Sequence, residues 1–102
     1  MKEIFGKWVQ TNDQPYPGLW FDFREDGTFE GQYVPMGIVS NGTYAVDGEK
    51  ITVHQIEHTL GFVGEFKGLF EIQGQELRMA LATGPGQERP ADLSAARKYI
   101  KH

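Results

Sequence analysis

The chain has 102 residues, a formal charge of −4 at neutral pH and no cysteine, which suits one domain, residues 1–102, and excludes disulfides and thiolate metal sites. Its ten Lys and Arg residues form no basic stripe, so we expect no nucleic-acid partner. Because no apolar run is long enough for a membrane span and the N-terminal MKEIFGKW lacks the core of a signal peptide, we expect a cytoplasmic protein unless a longer precursor is trimmed.

The N-terminal third of the chain predicts three strands. A first strand, Gly6–Gln10, follows a short helical turn over Lys2–Phe5. Apolar residues at every second position predict the next two strands, and the Asp26–Gly27 turn joins these two strands as a hairpin. The residues that share the inner face of this hairpin are Leu19, Phe21, Phe23, Phe29, Gly31 and Tyr33.

The middle of the chain and the part that follows it predict two more hairpins. Asp47–Gly48 and Gln73–Gly74 are turn dipeptides, and the residues on either side of each dipeptide alternate between apolar and polar. The inward-facing residues of these two hairpins are Tyr44, Val46, Ile51, Val53, Gln55, Phe66, Gly68, Phe70, Ile72, Leu77, Met79 and Leu81.

The last segment, residues 91–101, determines how the sheet ends. Its Ala, Leu, Arg and Lys residues favour a helix by propensity, whereas a final strand over Arg97–Lys101 would cover the edge of an open sheet. We prefer the strand and keep the helix as the alternative. With this strand, the sequence predicts an all-β fold, an antiparallel up-and-down meander of about eight short strands that closes into a barrel.

The stretch HQIEH at 54–58 matches the H-x-x-E-H pattern of a class of zinc peptidases. That pattern binds zinc on a helix, where residues four apart share a face. Here it follows a β-branched run, and in a strand His54 and His58 would lie about 13 Å apart. We therefore expect two solvent-facing histidines and no metal site, and the chain shows no other catalytic pattern and no cofactor motif. A metal-assisted hydrolase that uses His54 and His58 is the least favoured alternative.

Two stretches resemble known β-barrel families. IFGKW at 4–8 resembles the opening Gly-x-Trp signature of lipocalins and fatty-acid-binding proteins, and GLFEIQGQELRMALATGPGQERPADLS at 68–94 resembles the end of a group of small bacterial lipocalin-like domains. The resemblance implies a small barrel of the calycin type and no particular activity. It also implies that a basic residue of the last strand packs over Trp8, with Arg97 the nearest match and Lys98 the second choice.

The inward register predicts a candidate ligand site inside the barrel, because aromatic and apolar side chains from several strands converge there. Gln55 and the hydroxyls of Tyr33 and Tyr44 would supply its polar groups. We expect a non-enzymatic barrel that binds a small apolar ligand. The alternative is a structural or protein-interaction domain with a filled barrel, which would form a homo-oligomer through an outward face that includes Trp20 and Leu69. The predicted ligand-binding residues are Phe21, Phe23, Phe29, Tyr33, Tyr44, Val53, Gln55, Phe66 and Met79.

Overall fold

A computed structural model describes residues 4–82 and 84–102 of the chain. Each strand pairs antiparallel with the next one, and the last strand pairs with the first, so the sheet closes into a barrel. The predicted up-and-down barrel is therefore confirmed. The strands are β1 (Gly6–Gln10), β2 (Trp20–Phe23), β3 (Thr28–Tyr33), β4 (Ile38–Asp47), β5 (Lys50–His58), β6 (Gly64–Gln73), β7 (Glu76–Leu81) and β8 (Arg97–Lys101).

The two ends of the chain test the sequence prediction most directly. β1 and β8 have the predicted bounds, and residues 91–95 form bends and turns, so the helical alternative for this segment is wrong. The helical turn predicted over Lys2–Phe5 begins outside the described residues. The helical structure within the described ranges is a short 3-10 turn, Val34–Met36, and nothing in these ranges has the length and hydrophobicity that a membrane-crossing helix needs.

The barrel has two unlike ends. At the closed end the strands are joined by tight turns, where Gly27, Gly48 and Gly74 have φ values of 88°, 60° and 61°. Residues with a Cβ rarely adopt this left-handed conformation, which explains the glycine in each predicted turn dipeptide. At the other end, which we call the mouth, the connections are mostly longer: residues 11–19, 34–37 and 59–63, and the segment from β7 to β8.

The buried core fills the middle of the barrel and its closed end. The indole of Trp8 is 1% exposed and its Nε1 donates a hydrogen bond to the carbonyl of Ile4, 2.8 Å away. This bond holds the segment before β1 across the closed end of the barrel. The largest fully buried side chains are Trp8, Phe23, Phe29, Ile4, Ile51, Leu77, Met79 and Val53.

A cation covers Trp8, but it is not the residue that the resemblance implied. The closing register pairs Trp8 with Lys101, whose Nζ lies 4.5 Å from the centre of the indole ring and donates a hydrogen bond to the Phe5 carbonyl. The implied partners, Arg97 and Lys98, are wrong. Arg97 lies four residues nearer the mouth, which is about 13 Å along an extended strand.

A β-bulge divides β5 near its end. Gly42 is opposite Gln55 and Asn41 is opposite Glu57, so Ile56 has no partner and is an extra residue in the ladder. A Cβ at Gly42 would collide with the carbonyl oxygen of His54, so the position requires glycine. The bulge reverses the alternation, and the residues after Ile56 change face relative to those before it.

The segment between β7 and β8 is held against the outside of the barrel. We call residues 84–96 the strap. The Nη1 atom of Arg89 donates to the carbonyls of Ile51 and Gly68 at 2.8 and 2.6 Å, and its Nη2 atom donates to the Thr52 hydroxyl at 3.2 Å. The Arg89 guanidinium thus ties the strap to both β5 and β6, and the Gly86 N–H, which donates to the Glu65 carbonyl at 3.2 Å, adds a second contact with β6.

Candidate ligand-binding site

The mouth of the barrel contains a pocket of about 230 Å³. It lies between β2, β3, β4, β5 and β6 and under residues 59–63. An apolar cavity of about 150 Å³ is already enough to hold benzene, so this pocket has room for a molecule with one or two rings. Its walls are mainly apolar, and the large apolar side chains that face it include Phe21, Tyr33, Ile38, Val53, Phe66 and Leu81.

Two small residues that line the pocket face each other inside the barrel. Gly31 of β3 pairs with Ser40 of β4, and both are buried. A Cβ at Gly31 would lie 2.8 Å from the Ser40 hydroxyl and 3.1 Å from the ring of Phe21. Glycine at position 31 therefore lets the Ser40 hydroxyl and the Phe21 ring approach the β3 backbone closely. Gly31 was predicted on the inward register, and its burial confirms that placement.

The structure separates the nine predicted ligand-binding residues into two groups. Phe21, Tyr33, Val53, Gln55 and Phe66 line this pocket, and Met79 lines a second cavity beside it. The remaining residues are buried in the core and do not line either cavity: Phe23, Phe29 and Tyr44.

The hydroxyl of Tyr44 does not reach the pocket, which corrects its predicted role as a polar anchor. It donates a hydrogen bond to the carbonyl of Arg24, 2.7 Å away, at the closed end. Burial and the nearby carboxylates of Asp26 and Glu25 raise the pKa of Tyr44 to about 12. The side chain therefore fixes the turn between β2 and β3.

Gln55 lines the pocket, but its amide nitrogen is already used by the protein. Its Nε2 donates to the carbonyl of Phe62 at 2.9 Å. This hydrogen bond draws residues 59–63 over one side of the mouth. Gln55 therefore shapes the pocket by positioning a loop, and its Nε2 is not available as the main anchor for a ligand.

His58 is a pocket residue that the sequence prediction missed. It was expected to face solvent, but the bulge at Ile56 turns it to the inner face, opposite Ser40. Its Nδ1 accepts a hydrogen bond from the Leu60 backbone at 3.0 Å, and its ring meets that of Phe62 edge to face. Burial lowers the pKa of His58, so the ring is neutral at pH 7 and carries its proton on Nε2.

The HQIEH stretch does not present its histidines together. His54 is opposite Thr43, and both side chains are exposed on the outside of the barrel, whereas His58 faces the pocket. Two side chains on opposite faces of a sheet cannot bind one ion. Across residues 4–82 and 84–102, no group of three or more His, Cys, Asp or Glu side chains is arranged to hold a metal ion.

The outward face that the sequence predicts around Trp20 and Leu69 is not the most exposed apolar surface of the described residues. Trp20 and Leu69 are half-buried, and the Lys7 ammonium lies 4.3 Å from the Trp20 ring centre. Large apolar side chains are instead exposed around the mouth. We call these residues the rim: Val34, Met36, Leu60, Phe62 and Val63.

Comparisons of the chain with protein-family models, with curated proteins and with solved structures found no match. The class that the structure defines is a closed, eight-stranded antiparallel β-barrel with an apolar pocket at one end. What this barrel does must therefore be argued from the pocket.

Proposed function

We propose that the protein is a lipocalin-like barrel of the calycin type that binds a small, largely apolar molecule at its mouth and does not catalyse a reaction. The observation that carries this proposal is the pocket of about 230 Å³ with mainly apolar walls. Barrels of this strand number have room for their own side chains or for one small ligand. The pocket favours the second use, because it is space that the described side chains leave open, and the small residues Gly31 and Ser40 are part of its wall.

The arrangement at the closed end supports the same class. An early tryptophan after a glycine, covered by a cation from the last strand, resembles the lipocalin pattern, with Lys101 here in the place of an arginine. The exposed rim offers an apolar ligand a path from solvent into the pocket. Affinity should be modest: a ligand of about ten heavy atoms that gains about 0.5 kcal/mol per atom has a Kd of about 0.2 mM.

A neutral probe tests this proposal without any contribution from charge. We expect 1-naphthol, titrated into ¹⁵N-labelled protein, to shift the backbone amides of Gly31, Ser40 and Phe66, because these residues line the pocket. The Trp8 indole, which is buried at the closed end, should not shift. If no signal changes saturably up to the solubility limit of the probe, the binding proposal fails.

Two variants on one strand locate the site. Ser40→Leu places a larger apolar side chain in the pocket and should abolish binding of 1-naphthol. Thr43→Leu makes a comparable change on the outer face of β4, where Thr43 is exposed, and should leave binding unchanged. Both proteins are first checked by circular dichroism and melting temperature. Unchanged binding in a folded Ser40→Leu protein would place the ligand elsewhere.

A second candidate function is that of an interaction domain that forms a homo-oligomer. The exposed rim favours it, because clustered apolar side chains at a surface mark contact sites for other molecules. Sedimentation equilibrium distinguishes the two functions. A concentration-dependent mass that drops in a Met36→Ser, Phe62→Ser double variant would support self-association through the rim, and a monomer at all concentrations would remove this candidate.

A further inference from the structure

A second cavity, of about 420 Å³, lies beside the ligand pocket at the ends of β1, β2, β7 and β8. The two cavities share the residues Leu19, Phe21, Leu81 and Ala82, so they lie side by side within the mouth. The wall of the second cavity is largely apolar and includes one charged residue, Arg97, the first residue of β8. Strand alternation places Arg97 on the inner face together with the buried Tyr99.

The guanidinium of Arg97 has an N–H group that the described chain leaves unsatisfied. Its Nη1 atom is buried and has no hydrogen-bond partner among the described residues. The ion pairs within residues 4–82 and 84–102 involve other cations, and the nearby carboxylate of Asp13 is paired with Lys98 at 3.5 Å. The carbon of the guanidinium lies 5.3 Å from the ring centre of Tyr16. A buried cationic donor without an acceptor is unfavourable, and an anionic group in the cavity would satisfy it.

Tyr99 supplies a second donor to the same cavity. The Oε1 atom of Gln10 accepts the backbone N–H of Tyr16 at 3.2 Å, and this fixes which way the amide points. The Nε2 atom of Gln10 therefore donates to the Tyr99 hydroxyl, also at 3.2 Å. Since the hydroxyl oxygen acts as the acceptor in that bond, its own proton can be donated to a ligand. Burial raises the pKa of Tyr99 to about 12, so the hydroxyl keeps this proton at neutral pH.

We propose that the ligand carries a carboxylate, which is held by Arg97 Nη1 and the Tyr99 hydroxyl while its apolar body extends past Phe21 into the first pocket. This inference rests on the proposed function and specifies the ligand class. Two donors match the two oxygens of a carboxylate. A phosphate or sulfate group has more oxygens than these donors can satisfy, and the neighbouring wall, formed by Leu19, Met79, Leu81 and Ala95, is apolar. The ligand class is therefore a small aromatic or short aliphatic monocarboxylic acid.

A pair of probes with the same shape separates the contribution of charge to binding from that of apolar contact. 4-Phenylbutyrate and its neutral amide, 4-phenylbutyramide, are titrated by calorimetry at pH 7.5. We expect the acid to bind about tenfold more tightly than the amide, because a buried charge-assisted hydrogen bond strengthens binding by at least this factor. Arg97→Met keeps the length of the side chain and removes the charge, and it should abolish the preference for the acid over the amide.

Control variants test whether the effect is specific to this site. Lys98→Met removes the same charge from the next residue, which pairs with Asp13, and it should preserve the preference for the acid. Tyr99→Phe should reduce the preference in part. The melting temperature of Arg97→Met should be equal to or higher than that of the wild type, since an unsatisfied buried donor has been removed. A lower melting temperature together with an unchanged preference would mean that Arg97 is structural.

The remaining outcomes distinguish a failure of the carboxylate site from a failure of the proposed binding function. Equal binding of the acid and the amide to the wild type would overturn the carboxylate site and leave the apolar ligand proposal intact. A preference that survives in Arg97→Met, or that disappears in Lys98→Met, would overturn the role of Arg97. If neither probe binds and 1-naphthol also fails to bind, both the proposed function and this inference are wrong.

Discussion

Replacement of Trp8 by alanine removes the largest fully buried side chain of the barrel. A buried tryptophan withdraws about 150–250 Å² from water, which corresponds to about 4–6 kcal/mol at about 25 cal/mol per Å². Alanine retains part of this, so the truncation should cost about 3–5 kcal/mol. Loss of the bond from Trp8 Nε1 leaves the Ile4 carbonyl without this donor and adds about 1 kcal/mol. Domains of this size are stable by about 5–15 kcal/mol in total, so the variant should lose a large part of its stability.

Guanidinium unfolding, followed by far-UV circular dichroism at 25 °C, measures this cost. The matched control is Trp20→Ala, which removes the same side chain at a half-buried position by the mouth and should cost less than half as much. Trp8→Phe removes the hydrogen bond and keeps most of the apolar contact, so it measures the contribution of the hydrogen bond to stability. If Trp8→Ala and Trp20→Ala unfold at the same denaturant concentration, the assignment of the closed end as the stabilising core is refuted.

Two further predictions concern the strap and the pocket histidine. Arg89→Ala should lower the free energy of unfolding by about 2–3 kcal/mol and speed amide hydrogen exchange in residues 84–96. Arg89→Lys should not restore the stability, because one ammonium cannot reach the three acceptors of the guanidinium. Unchanged exchange rates would show that Arg89 does not hold the strap. His58 should titrate by NMR with a midpoint below its usual value of about 6.5, because burial lowers its pKa. A lowered pKa means that protonation of His58 favours the unfolded chain. The stability that the neutral ring contributes is therefore complete above about pH 6.5 and is lost as the pH falls through the lower pKa of the folded state, and His58→Gln should remove this pH dependence. A midpoint at or above 6.5 would contradict the inward placement of the ring.

Much of the fold was predictable because its signals are local. Asp26–Gly27, Asp47–Gly48 and Gln73–Gly74 each combine a turn-forming pair with alternation on both sides, and each is a hairpin turn in the structure. The inward positions of the pocket residues follow from the same alternation. Each of these signals depends on only a few neighbouring residues, so it can be recognised in the sequence alone.

The errors arose where a position depends on distant parts of the chain. The closing register between β1 and β8 is set by the geometry of the whole barrel, so Lys101 rather than Arg97 meets Trp8. The bulge at Ile56 depends on the fit of β5 to Gly42 on another strand, and it alone moves His58 into the pocket. Propensity does not detect either feature.

The sequence contains a usable signal for the proposed carboxylate site. If Tyr99 faces inward on the last strand, alternation places Arg97 on the same face, and an inward arginine in an apolar barrel requires an acceptor. The contribution of Gln10 and Tyr16 was not predictable in this way. They come from the other end of the chain and meet β8 only after the barrel has closed.

The bulge also determines where β5 can tolerate a change of length. Deletion of one residue at most positions of a strand moves every residue on one side of the gap to the opposite face. For β5 this would expose part of the core or bury charged groups. Deletion of Ile56 is different, because it is the residue without a partner. Gln55 would then precede Glu57 directly, and both would keep their present faces, as would His58. Within β5, position 56 is thus the point at which evolution or design can shorten the chain without changing what lines the pocket.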